Sequence, residues 1–357
     1  MRIGLDASYS LDSSPSGVGI YSAGIITALL SSAPDDHFLL CYRANRFFRA
    51  ITKPRNARNT SRYPLEDLML PHLQKRIDLF HGLNQRLPSC TFPRTVATFH
   101  DLFVMTADYS TPEFRLRFRK LAQDTAQRAD HIIAVSQYTA GLVAELLSYP
   151  PEHITVVHHG VRRVPRIEDD ELRRFRAAHD LEAPFILHVG TLQKRKNVER
   201  LLEAFEHIDG PTRLVLAGSD GYGSDRILDR LETSSAAARI RRLGYVDRPL
   251  LEHLYRAASV LAFPSLEEGF GLPVLEAMSA GLPVVTSNRS ALAEVAGDAA
   301  LLVNPEDAYE IRIAIEEALE EGPTRRRLIH AGLQREQEFG WFKAARETLR
   351  VYRRLLE

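Results

Sequence analysis

The sequence predicts an α/β protein built from two doubly wound domains. Short apolar runs alternate with longer helical patterns along the whole chain, the signature of βαβ units and parallel sheets. The alternation also restarts near the middle, and 357 residues are comfortable for two cores of ordinary size. In the first half the predicted strands are 2–7, 38–42, 77–80, 95–99, 131–135 and 154–158, with helical patterns such as 19–30 and 114–129 between them. A charged, irregular stretch is expected from Arg162 to about Asp180. The second set of strands is 185–189, 213–217, 240–245, 260–263, 284–287 and 300–303, with helices including 198–207, 249–258 and 273–280. The expected domains are therefore 1–165 and 180–340. The remaining 341–357 reads as a helix with apolar positions at Phe342, Ala345, Leu349, Tyr352 and Leu356, and is expected to cross back to the first domain. Open α/β sheets bind ligands at the carboxyl ends of their strands, so a ligand cleft is expected where two such sets of ends meet.

Bulk properties exclude several classes. Lys plus Arg and Asp plus Glu are 46 each, so the chain has no net field to draw it to nucleic acid. Cys41 and Cys90 have no metal-ligand or redox spacing, which suits a reducing compartment. The first residues, Met-Arg-Ile-Gly-Leu-Asp6, carry a charge where a signal peptide needs an apolar run. No stretch approaches the ~18–20 apolar residues of a membrane span. A cytoplasmic protein is expected, with peripheral contact at the inner membrane face as an option.

Chemistry concentrates in Glu268-Gly-Phe-Gly-Leu-Pro-Val-Leu-Glu276. Pro273 suits the first position of a helix and Gly281 the residue that ends it. Glu268 then lies in the loop after a strand, and Glu276 in the first turn of the helix. Gly269 and Gly271 let backbone approach a ligand, and with Phe270 and Leu272 they bring helix-start amides toward an anion such as a diphosphate. Glu268 is placed to accept hydrogen bonds from sugar hydroxyls and Glu276 from a ribose diol. Taken alone, the two glutamates would read as a solvated loop residue and a helix-dipole partner.

The whole string resembles the Glu-x7-Glu signature of the family 4 retaining glycosyltransferases, which have the GT-B fold. Pro264-Ser265, Glu276-Ala-Met278, Leu243-Gly-Tyr-Val246 and Gly281-Leu-Pro-Val-Val285 fit the same family, the match being strongest from about 185 to 305. The resemblance implies that 1–165 is the acceptor-side domain and 180–340 the nucleotide-sugar domain. It assigns Arg195 and Lys196 to the donor diphosphate, although some members place the Arg directly after the strand's glycine, where this chain has Thr191. It puts His100, in Thr98-Phe-His-Asp-Leu102, near the transferred sugar, and Asp101 is equally a helix cap or loop fixer. It brings the Gly17-Val-Gly19 loop to the donor phosphates and Val246 to the nucleotide. His81 is a candidate for the acceptor side. Ser136 is read as a helix cap, and His158-His-Gly160 as a turn where the family carries Pro-Asn-Gly.

Together these imply a retaining hexosyltransferase acting on a glycan or lipid-linked acceptor, without a metal, since no Asp-x-Asp motif is present. His81-Gly-Leu-Asn84 and Gly190-Thr-Leu192 followed by Lys196-Asn197 look most like bacterial mannosyltransferases of surface polysaccharides, pointing first to GDP-mannose and second to a UDP-sugar. A nucleotide-sugar epimerase and a non-catalytic sugar-nucleotide binder are the rival classes. The basic run 115–120 is read as a solvated helix face ahead of a membrane contact, because Glu113 and Asp124 dilute its charge.

Overall fold

A computed structural model describes residues 1–11, 16–52 and 57–357. The chain divides into two compact units, one of Met1–Thr106, Pro112–Gly160 and Phe339–Glu357, the other of Ala107–Thr111 and Val161–Glu338.

Among the described residues, the first unit is built on a seven-stranded parallel sheet ordered β3-β2-β1-β4-β5-β6-β7. Its strands are β1 (Arg2–Asp6), β2 (His37–Tyr42), β3 (Thr60–Pro64), β4 (Leu79–Gly82), β5 (Thr95–Phe99), β6 (His131–Ala134) and β7 (Ile154–Val156). The helices are α1 (Gly17–Ser32), α2 (Ala44–Ile51), α3 (Leu70–Gln74), α4 (Phe103–Thr106), α5 (Pro112–Arg128) and α6 (Gln137–Leu147). β3 was not expected: Thr60, Ser61 and Arg62 carry no apolar run, and this edge strand buries only Thr60 and Tyr63. By contrast β4, β5 and β6 are buried throughout, as strands covered on both faces are.

The second unit has a six-stranded parallel sheet ordered β10-β9-β8-β11-β12-β13. Its strands are β8 (Phe185–Val189), β9 (Arg213–Ala217), β10 (Ile240–Gly244), β11 (Val260–Phe263), β12 (Val284–Ser287) and β13 (Leu301–Val303). The helices are α7 (Asp169–Ala178), α8 (Val198–Glu206), α9 (Ser224–Thr233), α10 (Arg248–Ala257), α11 (Leu272–Ser279), α12 (Ser290–Ala296), α13 (Ala308–Leu319) and α14 (Pro323–Arg335). The expected irregular stretch before Asp180 is corrected in part: 169–178 form α7. It buries no residue, so no apolar stripe announces it. Asp169, Asp170 and Glu171 in its first turn suit the helix dipole, and Arg176 ties it down through the Ala257 carbonyl at 2.6 Å.

The last helix, α15 (Trp341–Leu356), packs on α1 within the first unit, joining a core with Ile3, Leu5, Ile25 and Leu29. Its buried face is Ala344, Ala345, Thr348, Leu349, Val351 and Tyr352. Phe342 does not belong to that face: it is 58% exposed, and Trp341, one position earlier, packs on the core instead.

Both sheets are α/β sheets with a switch in strand order, between β1 and β4 in one and between β8 and β11 in the other. At such a point adjacent loops leave the sheet in opposite directions and open a crevice at the carboxyl ends.

Candidate active site

In the second unit the crevice is bracketed by the loops after β8 and β11, which carry the charged candidates. The two loops are stitched together: the Leu266 amide donates to the Arg195 carbonyl at 2.8 Å. Asn197, in the left-handed conformation, donates from its amide to the carbonyls of Pro264 (3.0 Å) and Pro305 (2.6 Å). That stitching brings Arg195, Lys196 and Glu268 into one cluster, all three 8% exposed. Arg195 meets one Glu268 oxygen at 2.6 Å and Lys196 donates to the other at 2.5 Å. Arg195 also donates to the Glu267 carbonyl at 2.5 Å. Lys196 rests over the Phe263 ring, 4.5 Å from its centroid. Burial by itself raises the Glu268 carboxyl, but Arg195 and then Lys196 reverse this and hold it at about 2. Glu268 is thus a carboxylate, an acceptor throughout the physiological range.

The turn into α11 has one residue that glycine alone satisfies. Gly271 has φ +114° and a Cβ there would meet Leu292 at 2.7 Å. Gly269 and Phe270 are buried beside it and Leu272 opens the helix. Pro273 is the second rather than the first residue of α11, and Gly281 at φ +67° follows its C-cap. Glu276 is the fifth residue, in the second turn rather than the first, because the helix starts at Leu272. It is buried, accepting from the Tyr255 hydroxyl at 3.0 Å and pairing with Arg248. Arg248 in turn holds Glu252 at 2.7 Å. Val246 lies just past β10, next to Asp247, whose side chain caps α10 by accepting from the Leu250 amide at 3.0 Å.

In the first unit His100 follows β5. Its Nε2 donates to the Leu83 carbonyl at 2.9 Å, leaving Nδ1 as a buried lone pair with no hydrogen-bond partner. Burial lowers His100 to about 4, so the ring is neutral. Tyr21 packs its ring on His100 (4.7 Å, T-shaped) and stacks on His159 (4.7 Å). The Tyr21 hydroxyl bonds Thr98 (3.0 Å), Thr98 bonds His81 Nε2 (2.8 Å), and His81 Nδ1 bonds the Tyr352 hydroxyl of α15 (2.5 Å). His81 is therefore bound on both nitrogens inside the core. Gly17 opens α1 and the Gly19 amide donates to the Ser16 cap at 3.4 Å, while 12–15 lie outside the described residues. Ser136 caps α6, accepting from the Thr139 amide at 3.0 Å.

Sequence reasoning missed Tyr21, Tyr255, Arg248 and Tyr109. The first three have ordinary helix-face spacing, and only the fold supplies their partners. Tyr109, in the short segment assigned to the second unit, is half-buried, and its hydroxyl is raised by burial and then by Glu267, with Arg195 opposing. Among the described residues no three His, Cys, Asp or Glu side chains are placed to hold a metal, and no helix is long and apolar enough to cross a membrane.

Two Rossmann-like parallel-sheet units, one carrying a carboxylate and two cations at its switch point, define a protein of the GT-B fold. The family model described as "Glycosyl transferases group 1" matches residues 169–335, and "Glycosyltransferase Family 4" matches 23–163. O-antigen chain mannosyltransferase B of Escherichia coli is 33% identical over 284 residues, 78% of this chain and 74% of that protein. The serotype-specific mannosyltransferase WbdA of E. coli is 31% identical over 76% of this chain, which spans only 35% of WbdA's length. The sucrose-phosphate synthase of Thermosynechococcus elongatus superposes with a TM-score of 0.75 at 23% identity, covering 99% of each chain. The chain belongs to the family 4 glycosyltransferases and resembles the bacterial mannosyltransferases among them.

Proposed function

We propose that this glycosyltransferase is a retaining mannosyltransferase that moves mannose from GDP-mannose to a hydroxyl of a glycan or lipid-linked glycan, without a metal. The observation that carries the reading is the buried Arg195–Lys196–Glu268 cluster beside the start of α11. Two buried cations and the amides of a helix start suit a departing nucleoside diphosphate, whose charge grows in an oxocarbenium-like transition state. Glu268, ionised at any working pH, accepts from hydroxyls of the transferred sugar. Glu276, its carboxylate oriented by Tyr255 and Arg248, accepts from the ribose diol. His100, with its proton on Nε2, presents Nδ1 as an acceptor for a sugar hydroxyl rather than an acid. Val246 completes the donor contacts of the second unit in this scheme. No second carboxylate is assigned as a nucleophile, so retention is attributed to same-face attack assisted by the leaving phosphate.

The test is incubation with GDP-mannose or UDP-sugars and mannose-containing oligosaccharide acceptors, in EDTA and in magnesium. Mannoside formation that needs both donor and acceptor, persists in EDTA and keeps the α-anomer by NMR is expected. A UDP-sugar as sole donor corrects the donor. An inverted anomer or loss of activity in EDTA sinks the mechanism. Donor turnover to a free epimer without acceptor, or donor binding without any turnover, replaces the enzyme class.

A further inference from the structure

We infer that Glu268 is an internal anion that occupies Arg195 and Lys196 while the donor site is empty, and that a diphosphate displaces it from them. The inference rests on the donor-site reading above and adds an order of events to it. Each Glu268 oxygen is engaged by a different cation, at 2.6 and 2.5 Å, and the same two cations are the groups assigned to the diphosphate. The three side chains sum to a single positive charge. A nucleoside diphosphate brings two or more negative charges, so it competes with Glu268 for the same N–H donors. Buried charges this close hold their pairing strongly, because an uncompensated charge away from water is costly.

The loop backbone fixes what moves. The Glu268 amide donates to Ser290 Oγ at 3.1 Å, its carbonyl accepts from the Ala291 amide at 3.3 Å, and the preceding Leu266 amide is tied to Arg195. With the main chain held on both sides, displacement is a rotation of the Glu268 side chain. Phosphate arrival then frees the carboxylate at the moment a sugar hydroxyl needs an acceptor. When the nucleoside diphosphate leaves, Glu268 returns to the cations and shields them, which favours product release.

The consequence runs against intuition: removing a residue of the donor site tightens nucleotide binding. Glu268→Gln should bind GDP or UDP, titrated separately by calorimetry without metal, roughly tenfold more tightly than wild type, the equivalent of one charge-assisted hydrogen bond. Transfer should fall in the same variant, and GDP should become a stronger product inhibitor. Loss of the carboxylate charge between two buried cations should also lower its melting temperature, and GDP should raise it by more degrees than in wild type. A crystal structure of the wild type with GDP gives an independent readout that needs no variant: both Glu268 contacts should open beyond 3.5 Å. If Glu268→Gln binds no more tightly, or if both contacts stay closed with GDP bound, the displacement is overturned. The donor site then still stands provided Lys196→Ala weakens GDP. If neither Arg195→Ala nor Lys196→Ala changes GDP affinity, the donor-site reading itself falls.

Discussion

At the scale of single residues, the second unit separates two jobs that a glutamate pair does not reveal by spacing. Glu268 is held by two cations and Glu276 by one cation and a neutral hydroxyl, so changes to their partners should differ in kind. Lys196→Ala should lower kcat by about 10²–10³-fold, since it removes charge stabilisation that grows in the transition state. Tyr255→Phe should instead raise the donor KM several-fold and leave kcat near wild type, because it only loosens the orientation of Glu276. Steady-state kinetics with varied donor check both; an equal fall in kcat for Tyr255→Phe would place Glu276 at the reacting bond. The glutamates and the cation pair could be singled out from the sequence by family resemblance, because each sits in a short contiguous run that can be matched. Tyr255 and Arg248 could not, since both meet Glu276 from α10 and nothing in that segment marks them.

At the scale of elements, α15 is bound to the rest of the first unit by shape and by polar contacts, among them the chain from Tyr352 through His81 to Thr98. Gly24 and Gly160 leave room for the Trp341 ring: a Cβ on Gly24 would lie 2.4 Å from it, and one on Gly160 2.5 Å. Gly160→Ala should therefore destabilise the first unit by about 1–3 kcal/mol through overpacking, read as a shift in the urea midpoint. Thr98→Val tests the polar chain. It leaves His81 Nε2 and the Tyr21 hydroxyl buried without their Thr98 bond, at about 1–3 kcal/mol for each orphaned group. An unchanged midpoint would mean water replaces Thr98. The helical period of 341–357 and most of its buried face, Ala345, Leu349 and Tyr352, were plain in the sequence, but the packing of its first turn was not. Phe342 and Trp341 are neighbours, and only the groove beside Gly24 and Gly160 decides which one packs.

At the scale of the whole molecule, stability should fall on mild acidification. His81 is lowered to about 3 by burial and then by His100, while burial lowers His100, His131 and His188 to about 4. Between pH 6.5 and 4 the unfolded chain takes up these protons and the native chain does not, so the native state loses ground as pH drops. Below about pH 4.5 the depressed Glu268 carboxyl adds a loss of the same sign, reaching down to about 2. Melting temperature should therefore decline steadily from pH 7 to pH 4.5, and a flat profile there would show that these rings are hydrated in solution. No count of histidines announces this, since it depends on which of the 13 are buried.

By itself the sequence determined the α/β class, the strands covered on both faces and the reaction family, because those rest on local periodicity and one contiguous motif. It did not determine β3 or α7, which bury too little to leave a pattern. Only the tertiary structure decided that Arg195, Lys196 and Glu268 form one buried cluster. Glu268 lies 72 residues beyond Lys196, and the pairing of β8 with β11 at the switch in strand order is what brings it within hydrogen-bond reach of the two cations.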